Sequence, residues 1–392
     1  MPSFSISPDL SKWLEHHAGD DPIKVRLAGK EVEGYTAAFV ADQLTARQRF
    51  KRKFPKICAD PFFVFPPSVH LEQASSETTA RIKLELILDH PSPRNHIIDL
   101  TAGFGVDALS FSEIFRQVSL VEPDPYLHDL TQANFIRTAP TKFSLHLQTA
   151  EDFLLNKNLH ADWIFVDPSR RDEGQRKFLL EDSFPNVVAL HRRLLEVAPQ
   201  LLIKTSPMLD ISACLKSLPG ITGVHIVSVD NECKEVLYHI DSTKKMDEPE
   251  IRCINIRNNG TRELFNFFPA EELNRIEVAV LPDQYLMEPN ASVMKSGGFN
   301  SLCRKFGLMP VGNSTRLFTS TTAPFNFPGK IFKVNRPFTK SDEGMAAAVI
   351  SRNHPLSADQ IRKKYSLKES DKTFLIAFTG RSEKYLLLAD RL

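Results

Sequence analysis

At 392 residues the chain is longer than a single hydrophobic core ordinarily organises, so two or three domains are expected. Hydrophobic residues at 42% and charged residues at 25% exclude a disordered or fibrous chain. A formal net charge of +1 excludes a globally basic binder while leaving room for local basic patches. No apolar run approaches the length that crosses a bilayer, and the start MPSFSISPDLSKWLEHH lacks the charged and apolar regions of a secretion signal, so a cytoplasmic protein that meets no membrane is expected. The five cysteines are scattered without CxxC spacing, which predicts reduced, mostly structural thiols and no metal centre.

In chain order, LSKWLEHH, TAAFVADQLTARQRFKRKF and SSETTARIKLELILDH space apolar residues at three and four and predict helices, interrupted by DPFFVFPPS. Residues 1–70 are accordingly expected to form a helical N-terminal region. Alternating strand and helix signals follow: HIIDL, a helix from Val106 to Phe115, QVSLVEP, a helix from Tyr126, FSLHLQ, a short helix at Ala150–Leu155, ADWIFVDP, a helix near Asn186–Leu195, LLIKTS and a helix at Ile211–Ser217. Such alternation implies right-handed crossovers and a parallel sheet. VHIVSVD and EVLYHID, joined by NECK, predict a closing antiparallel pair and bring the strand count to seven.

After STKKMDEPEI, the segments IRCINIRN and RELFNFF about Asn259-Gly260 predict a further hairpin or an extension of the sheet. The domain that starts at residue 71 is expected to close near 275. Residues 276–322 read as strand, helix, strand (EVAVLP, ASVMKSGGFNSLCRKFG, TRLFTS), and residues 323–392 repeat a mixed pattern with GKIFKVNRPF, IRKKYS, KTFLIAFTG and KYLLLADRL. The fold class expected is therefore α/β: a seven-stranded Rossmann-like sheet with a helical N-terminal region and small α+β modules behind it.

The chemistry concentrates at the ends of the predicted strands. Asp99-Leu-Thr101-Ala102-Gly103-Phe-Gly105 lies between an apolar strand and a helix, where glycines let a ligand approach the backbone and free N–H groups favour polar or anionic groups. The second strand ends in Glu122, suited to ribose hydroxyls. The third is followed by Glu151 and Asp152, which read either as acceptors for an adenine amino group or as helix N-terminal acids. The fourth ends in Asp167-Pro168-Ser169-Arg170-Arg171. Its arginines read as phosphate contacts or as partners of Asp172, Glu173 or Glu181, and Lys204 on the fifth strand reads as facing an acceptor or as a snorkelling surface lysine.

DLTAGFG, VEP, TAED and VDPSRR in this order resemble the successive motifs of class I S-adenosylmethionine-dependent methyltransferases over roughly residues 70–245. The resemblance implies that Asp99 and the Thr101–Gly105 turn line the methionine part of the cofactor, that Glu122 holds the ribose, and that Asp152 or Glu151 approaches adenine. It implies a catalytic role for Asp167, Pro168 and Arg170, Asp167 also bordering the cofactor. The motif departs from the DPPY type, in which an aromatic residue stacks on a base. With Gln73-Ala-Ser75-Ser76 and Tyr285-Leu-Met-Glu288-Pro289-Asn290, the whole chain resembles a bacterial group of such enzymes with a ferredoxin-like insert, matched to 276–322, and a THUMP-like C-terminal domain, matched to 323–392. That likeness implies structured RNA, tRNA or rRNA, as substrate. Small-molecule or protein methylation, or a non-catalytic RNA-binding protein that keeps the fold, are the alternatives; the aspartate before the glycines and the closing hairpin argue against a dehydrogenase.

Basic clusters support a polyanionic partner. Arg47, Arg49, Lys51, Arg52, Lys53 and Lys56 crowd the N-terminal helix, and from residue 329 onward thirteen Lys and Arg face seven Asp and Glu, a pattern suited to phosphate contacts or to a solvated face. Phe306, Phe325, Phe327, Phe332 and Phe338 are candidates for base stacking or for core packing.

Overall fold

A computed structural model of the chain describes residues 4–139, 141–170 and 179–392, Arg170 through its backbone only. These residues form two compact units, one comprising Met1–Thr205, Ser212–Gly220 and His239–Lys244, the other Ser206–Ile211, Ile221–Tyr238 and Lys245–Leu392.

The first unit begins with helices α1 (Pro8–His16), α2 (Pro22–Ala28), α3 (Ala37–Arg49), α4 (Pro55–Ala59), α5 (Ser68–Gln73) and α6 (Glu77–Leu88). Their starts are written in the sequence: Ser7, Asp21, Thr36 and Ser76 each accept a backbone N–H of the following first turn, and proline opens α1, α2 and α4, where its missing N–H costs nothing. The DPFFVFPPS interruption is not an exposed loop. Phe63, Val64 and Phe65 are buried, and side-chain amides satisfy their backbone: Gln43 exchanges two 2.9 Å bonds with Phe65, and Asn134 bonds both N–H and C=O of Val64. One core joins Leu10, Val40, Leu44, Phe54 and Phe65 to Phe104, Val106 and Leu130, so the N-terminal helices pack directly on the elements that follow.

Those elements are β1 (His96–Asp99), α7 (Val106–Phe111), β2 (Gln117–Val121), α8 (Pro125–Thr138), β3 (Phe143–His146), α9 (Ala150–Phe153), β4 (Trp163–Val166), the short pair β5 (Ser169–Arg170) and β6 (Ser183–Phe184), α10 (Val187–Val197), β7 (Gln200–Thr205) and α11 (Ile211–Ser217). Helix α7 stops earlier than the expected Phe115. The strands β1, β2, β3, β4 and β7 pair in parallel, β1 lying between β2 and β4. This places the chain reversal, and the crevice beside it, at the carboxyl ends of β1 and β4.

At the opposite ends of the strands a polar knot ties the unit together. Asp241 is buried and accepts from Gln200 at 2.8 Å, from Thr243 N at 3.0 Å, and contacts His90 Nε2 at 3.0 Å, while Trp163 stacks on His239 at 5.2 Å.

In the second unit, β8 (Ile221–Val229) and β9 (Glu232–Asp241) are joined by Asp230 and Asn231, both at positive φ, the conformation of a tight hairpin turn that aspartate and asparagine tolerate. Strand β8 also pairs in parallel with β10 (Glu250–Ile256), which pairs with β11 (Arg262–Phe267). These last two strands form the further hairpin expected about Asn259-Gly260. The rest of the unit contains β12 (Tyr285–Pro289), α12 (Ala291–Ser296), α13 (Phe299–Phe306), β13 (Met309–Pro310), β14 (Phe318–Ser320), β15 (Gly329–Pro337), β16 (Ala348–Arg352), α14 (Ala358–Lys364), β17 (Thr373–Thr379) and β18 (Lys384–Arg391). Their strands form one seven-stranded sheet in the order β13-β14-β12-β15-β18-β17-β16. Alternation along β17 sends Ile376 and Phe378 into one core and Leu375 and Ala377 into another.

Two expectations are corrected here. EVAVLP forms no strand; Val280 and Leu281 are exposed, and the strand of this region is Tyr285–Pro289, whose Leu286 and Met287 are fully buried. The single helix expected over ASVMKSGGFNSLCRKFG is two, because Gly297 adopts a left-handed conformation that ends α12.

Hydrogen bonds from Thr243 and Gln200 hold the Asp241 carboxyl, despite its burial, at about 2. A depressed acid stabilises the fold above its unfolded value and loses that contribution as pH falls through the folded one. Urea unfolding of Asp241→Asn is expected to show a lowered midpoint whose difference from the wild type is full above about pH 4 and shrinks toward about pH 2.

Candidate functional site

The turn between β1 and α7 is held on three sides by its own backbone. Leu100 N donates to Phe165 O of β4 at 3.0 Å, and Ala102 N to Val121 O of β2 at 3.1 Å. Gly103 N donates to Glu122 Oε2 at 2.7 Å. The turn therefore continues the sheet before the helix starts. Both glycines have positive φ, 55° at Gly103 and 87° at Gly105, which only glycine adopts cheaply. Their surroundings differ: a Cβ on Gly103 meets nothing within 4 Å, whereas one on Gly105 falls 2.3 Å from the Phe135 ring. Phe104 is buried between them and meets Phe54 edge-on at 5.5 Å, which anchors the turn in the N-terminal helices.

Around this turn the structure brings together Asp99, Thr101, Ala102, Gly103, Glu122 and Asp167. Asp99 accepts Thr101 N at 3.0 Å, and Thr101 Oγ1 accepts Asp167 N at 2.7 Å. Glu122 accepts Asp124 N at 3.0 Å through its other oxygen; an ionised carboxylate keeps further lone pairs for a ligand. Lys204 pairs with Asp167, so the lysine faces the site.

Glu151 and Asp152 stand in the first turn of α9. Asp152 accepts the Thr149 hydroxyl at 2.8 Å, as a helix-start acid does. Glu151 Oε2 is buried and has no hydrogen-bond partner among the described residues. Pro168 is half-buried. The Arg170 side chain and all of Arg171, Asp172 and Glu173 lie outside the described residues. Glu181 accepts the Ser217 hydroxyl at 2.6 Å.

One group escaped the sequence reading. Lys83, fully buried, sits 3.0 Å from Asp107 Oδ1 and 3.0 Å from the Ser75 hydroxyl, which itself donates to Asp107 Oδ2 at 2.6 Å. The signal was present: Lys83 occupies the apolar stripe of α6 with Ala80, Leu84 and Ile87, a register where a lysine needs a buried partner. Burial first, then Asp107, push the Asp99 carboxyl well above the usual carboxylate range, and burial raises Glu122. Four acids, Asp99, Asp107, Glu122 and Asp167, thus meet two lysines, and such a field favours a ligand that carries positive charge.

The basic cluster of α3 is partly structural. Arg47 donates to Phe63 O at 3.0 Å and lies over the Phe65 ring, burial lowering its pKa to about 10. Lys53 donates to Leu71 O and Glu72 O. Of the five C-terminal phenylalanines, Phe327 and Phe332 are buried and Phe325 is 87% exposed. No helix is long and apolar enough to cross a membrane, and no group of three metal-ligating side chains occurs, among the described residues.

Comparison with known proteins adds three findings. The family models that match are a ferredoxin-like domain over residues 285–328 and a THUMP domain-like region over residues 333–391. Among solved structures, a "putative methyltransferase" from Porphyromonas gingivalis W83 is similar over 97% of both chains at 25% identity, with a TM-score of 0.84. A "putative RNA methyltransferase" from Pyrococcus horikoshii is similar over 45% of this chain and 90% of its own at 17% identity, with a TM-score of 0.34. No curated protein matches.

Substitution of the two glycines is expected to separate backbone strain from steric exclusion. Gly103→Ala should cost about 1 kcal/mol from φ alone, and Gly105→Ala about 3 kcal/mol because Phe135 must also move, both read from denaturant midpoints. Lys83→Met should cost about 3–5 kcal/mol by stranding Asp107, and Lys83→Met with Asp107→Leu should recover much of it.

Proposed function

We propose, for a chain with the α/β fold of a methyltransferase and ferredoxin-like and THUMP-like domains in its C-terminal part, that it is an S-adenosylmethionine-dependent enzyme acting on RNA. The observation that carries the cofactor is the turn: a backbone that closes on Glu122, and open space at Gly103. The residues fit the group chemically. Glu122 suits ribose hydroxyls, the orphaned Glu151 oxygen suits an adenine amino group, and the excess of acids around Asp99 suits a cationic amino acid portion. When bound, the cofactor supplies an electrophilic methyl group on its sulfonium.

The chain's own residues then bind and orient. Asp99 and the Thr101–Gly105 turn hold the cofactor at the carboxyl ends of β1 and β2, with Asp152 beside Glu151 at the end of β3. Asp167, steadied by Lys204 and by the Thr101 hydroxyl, accepts a hydrogen bond from the nitrogen that receives the methyl group. The Pro168 carbonyl orients that nitrogen, and Arg170 meets a phosphate. RNA is favoured as substrate by the THUMP domain-like match and by the basic excess of the same residues. Residues 71–275 form the methyltransferase domain in this reading, behind the helical 1–70.

Calorimetry with S-adenosylmethionine tests the cofactor, and absence of binding at millimolar concentration would overturn it. Because burial raises the pKa of Asp99 and a cationic ligand lowers it again, affinity should rise with pH until the raised value is passed, with protons released on binding below it; titrations in two buffers of different ionisation enthalpy read this directly. Asp167→Ala should keep cofactor affinity and lower methyl transfer about 100-fold or more. Modified nucleosides compared by mass spectrometry in cells with and without the gene should lack one methylated nucleoside in the latter.

A further inference from the structure

The first unit contains a cavity of about 390 Å³ among α4, α6, α7 and α8 that the methyl-transfer reading leaves unused. None of the residues assigned above to the cofactor or to the methyl acceptor lines it. Its walls are apolar: Ile57, Phe63, Val106, Leu109 and Phe135, all buried except the partly buried Leu109. Lys56, Thr78 and Glu113 are exposed and mark its mouth. Core side chains that face open space in place of packed atoms forgo the dispersion contacts of a close-packed interior. The space falls within the roughly 300–1,000 Å³ of small-molecule pockets, so an occupant of that size restores those contacts.

The polar groups of the lining decide what charge an occupant carries. Glu77 accepts the backbone N–H groups of Lys56 and Ile57 at 3.1 and 2.8 Å, one on each oxygen. Asp60 pairs with Arg137 and accepts Phe62 N at 2.9 Å. Arg81 stands between Glu113 at 2.8 Å and Glu85 at 3.3 Å. The Asn134 amide is spent on Val64 at both ends, and the Thr138 hydroxyl donates to Phe135 O at 3.1 Å. Lys56 has no carboxylate partner among the described residues, but it lies exposed at the mouth, where an ion pair is worth little. A charged ligand would therefore leave its water shell for a lining with no buried charge to offer it. Two groups keep hydrogen-bonding capacity: the hydroxyls of Thr78 and of the half-buried Ser110 make no hydrogen bond among the described residues, and each both donates and accepts. The rings of Phe63 and Phe135 add walls against which a further ring packs edge-on or offset.

We propose that this cavity binds an uncharged aromatic small molecule whose one polar group meets the Ser110 hydroxyl, and that its occupancy tightens the turn between β1 and α7. The link is Phe135. Its ring closes the inner end of the cavity and rests on Gly105, where a Cβ would fall 2.3 Å from it. Val106, the residue after Gly105 and the first of α7, lines the same cavity. A ligand packed against both takes up the room into which the ring and the helix start move when the turn opens, and so couples two sites without a contact between their ligands.

The test uses the full chain with no cofactor present. Indole, tryptamine and indole-3-acetate share one ring system and differ in charge, and benzothiophene keeps the shape without the N–H. Calorimetry should find indole bound at least about tenfold more tightly than either charged relative. Ser110→Ala should weaken indole about fivefold and leave benzothiophene unchanged. Thr78→Trp, which fills the mouth from an exposed position, should abolish binding of both, with thermal unfolding reading the retention of fold in each variant. Saturating indole should slow hydrogen exchange at the Gly103 and Gly105 amides about fivefold or more, and should not do so in Thr78→Trp. A charged relative that binds as tightly as indole, binding that survives Thr78→Trp in a folded variant, indole affinity untouched by Ser110→Ala, or no binding at millimolar indole overturns the site. Unchanged exchange with indole bound overturns the coupling. Since no step uses S-adenosylmethionine, failure of the cofactor reading leaves each of these outcomes as it stands.

Discussion

The bond from Gly103 N to Glu122 is the constraint on which the first unit's crevice depends. A strand-to-helix turn with two glycines is soft, and an unfixed one samples too many conformations to present a defined surface. Here the turn borrows rigidity from both neighbours of β1, through Val121 and Phe165, and then closes on an acid at the end of β2. Phe104, between the glycines, is driven into the N-terminal helical core. Freedom of backbone is thus used to reach a shape that hydrogen bonds and one buried ring then hold.

The same crevice collects negative charge in a place where water is scarce, and such a cluster is stable only if protonation or a cation relieves it. Lys83 relieves Asp107, Lys204 relieves Asp167, and Asp99, its pKa raised by burial and then by Asp107, has no cation of its own among these pairs. The unit carries, at this point, a deficit of positive charge that a bound ligand is suited to fill. Ser75, bridging Lys83 and Asp107, ties the segment before α6 into the arrangement, and so links the helical layer to the turn by a polar contact as well as an apolar one.

Much of this was legible in the sequence, because strand, glycine turn and helix follow one another with local signals that agree. The helix at Ile211–Ser217 was read to the residue, and the segment Asp99–Gly105 was placed by its neighbours alone. What escaped depends on distant partners. Phe63–Phe65 looked like a loop because proline surrounds it, and its burial is made possible by Gln43 and Asn134, which sequence distance hides. EVAVLP has a strand's composition, yet the sheet takes Tyr285–Pro289, whose apolar residues find a core on both neighbours, β14 and β15.

Charge is where composition misleads most, since a count treats every cation as free. Arg47 and Lys53 belong to a basic run and spend donors on backbone carbonyls of the same helical region, which fixes their side chains in place. Lys330 and Arg352, scattered in sequence, converge on one buried carboxylate. A buried acid that holds two cations in place costs desolvation and returns fixed direction. Glu288 and Glu263, two acids that any tally of net charge would subtract, thus fix the positions of Lys330, Arg352 and Arg257.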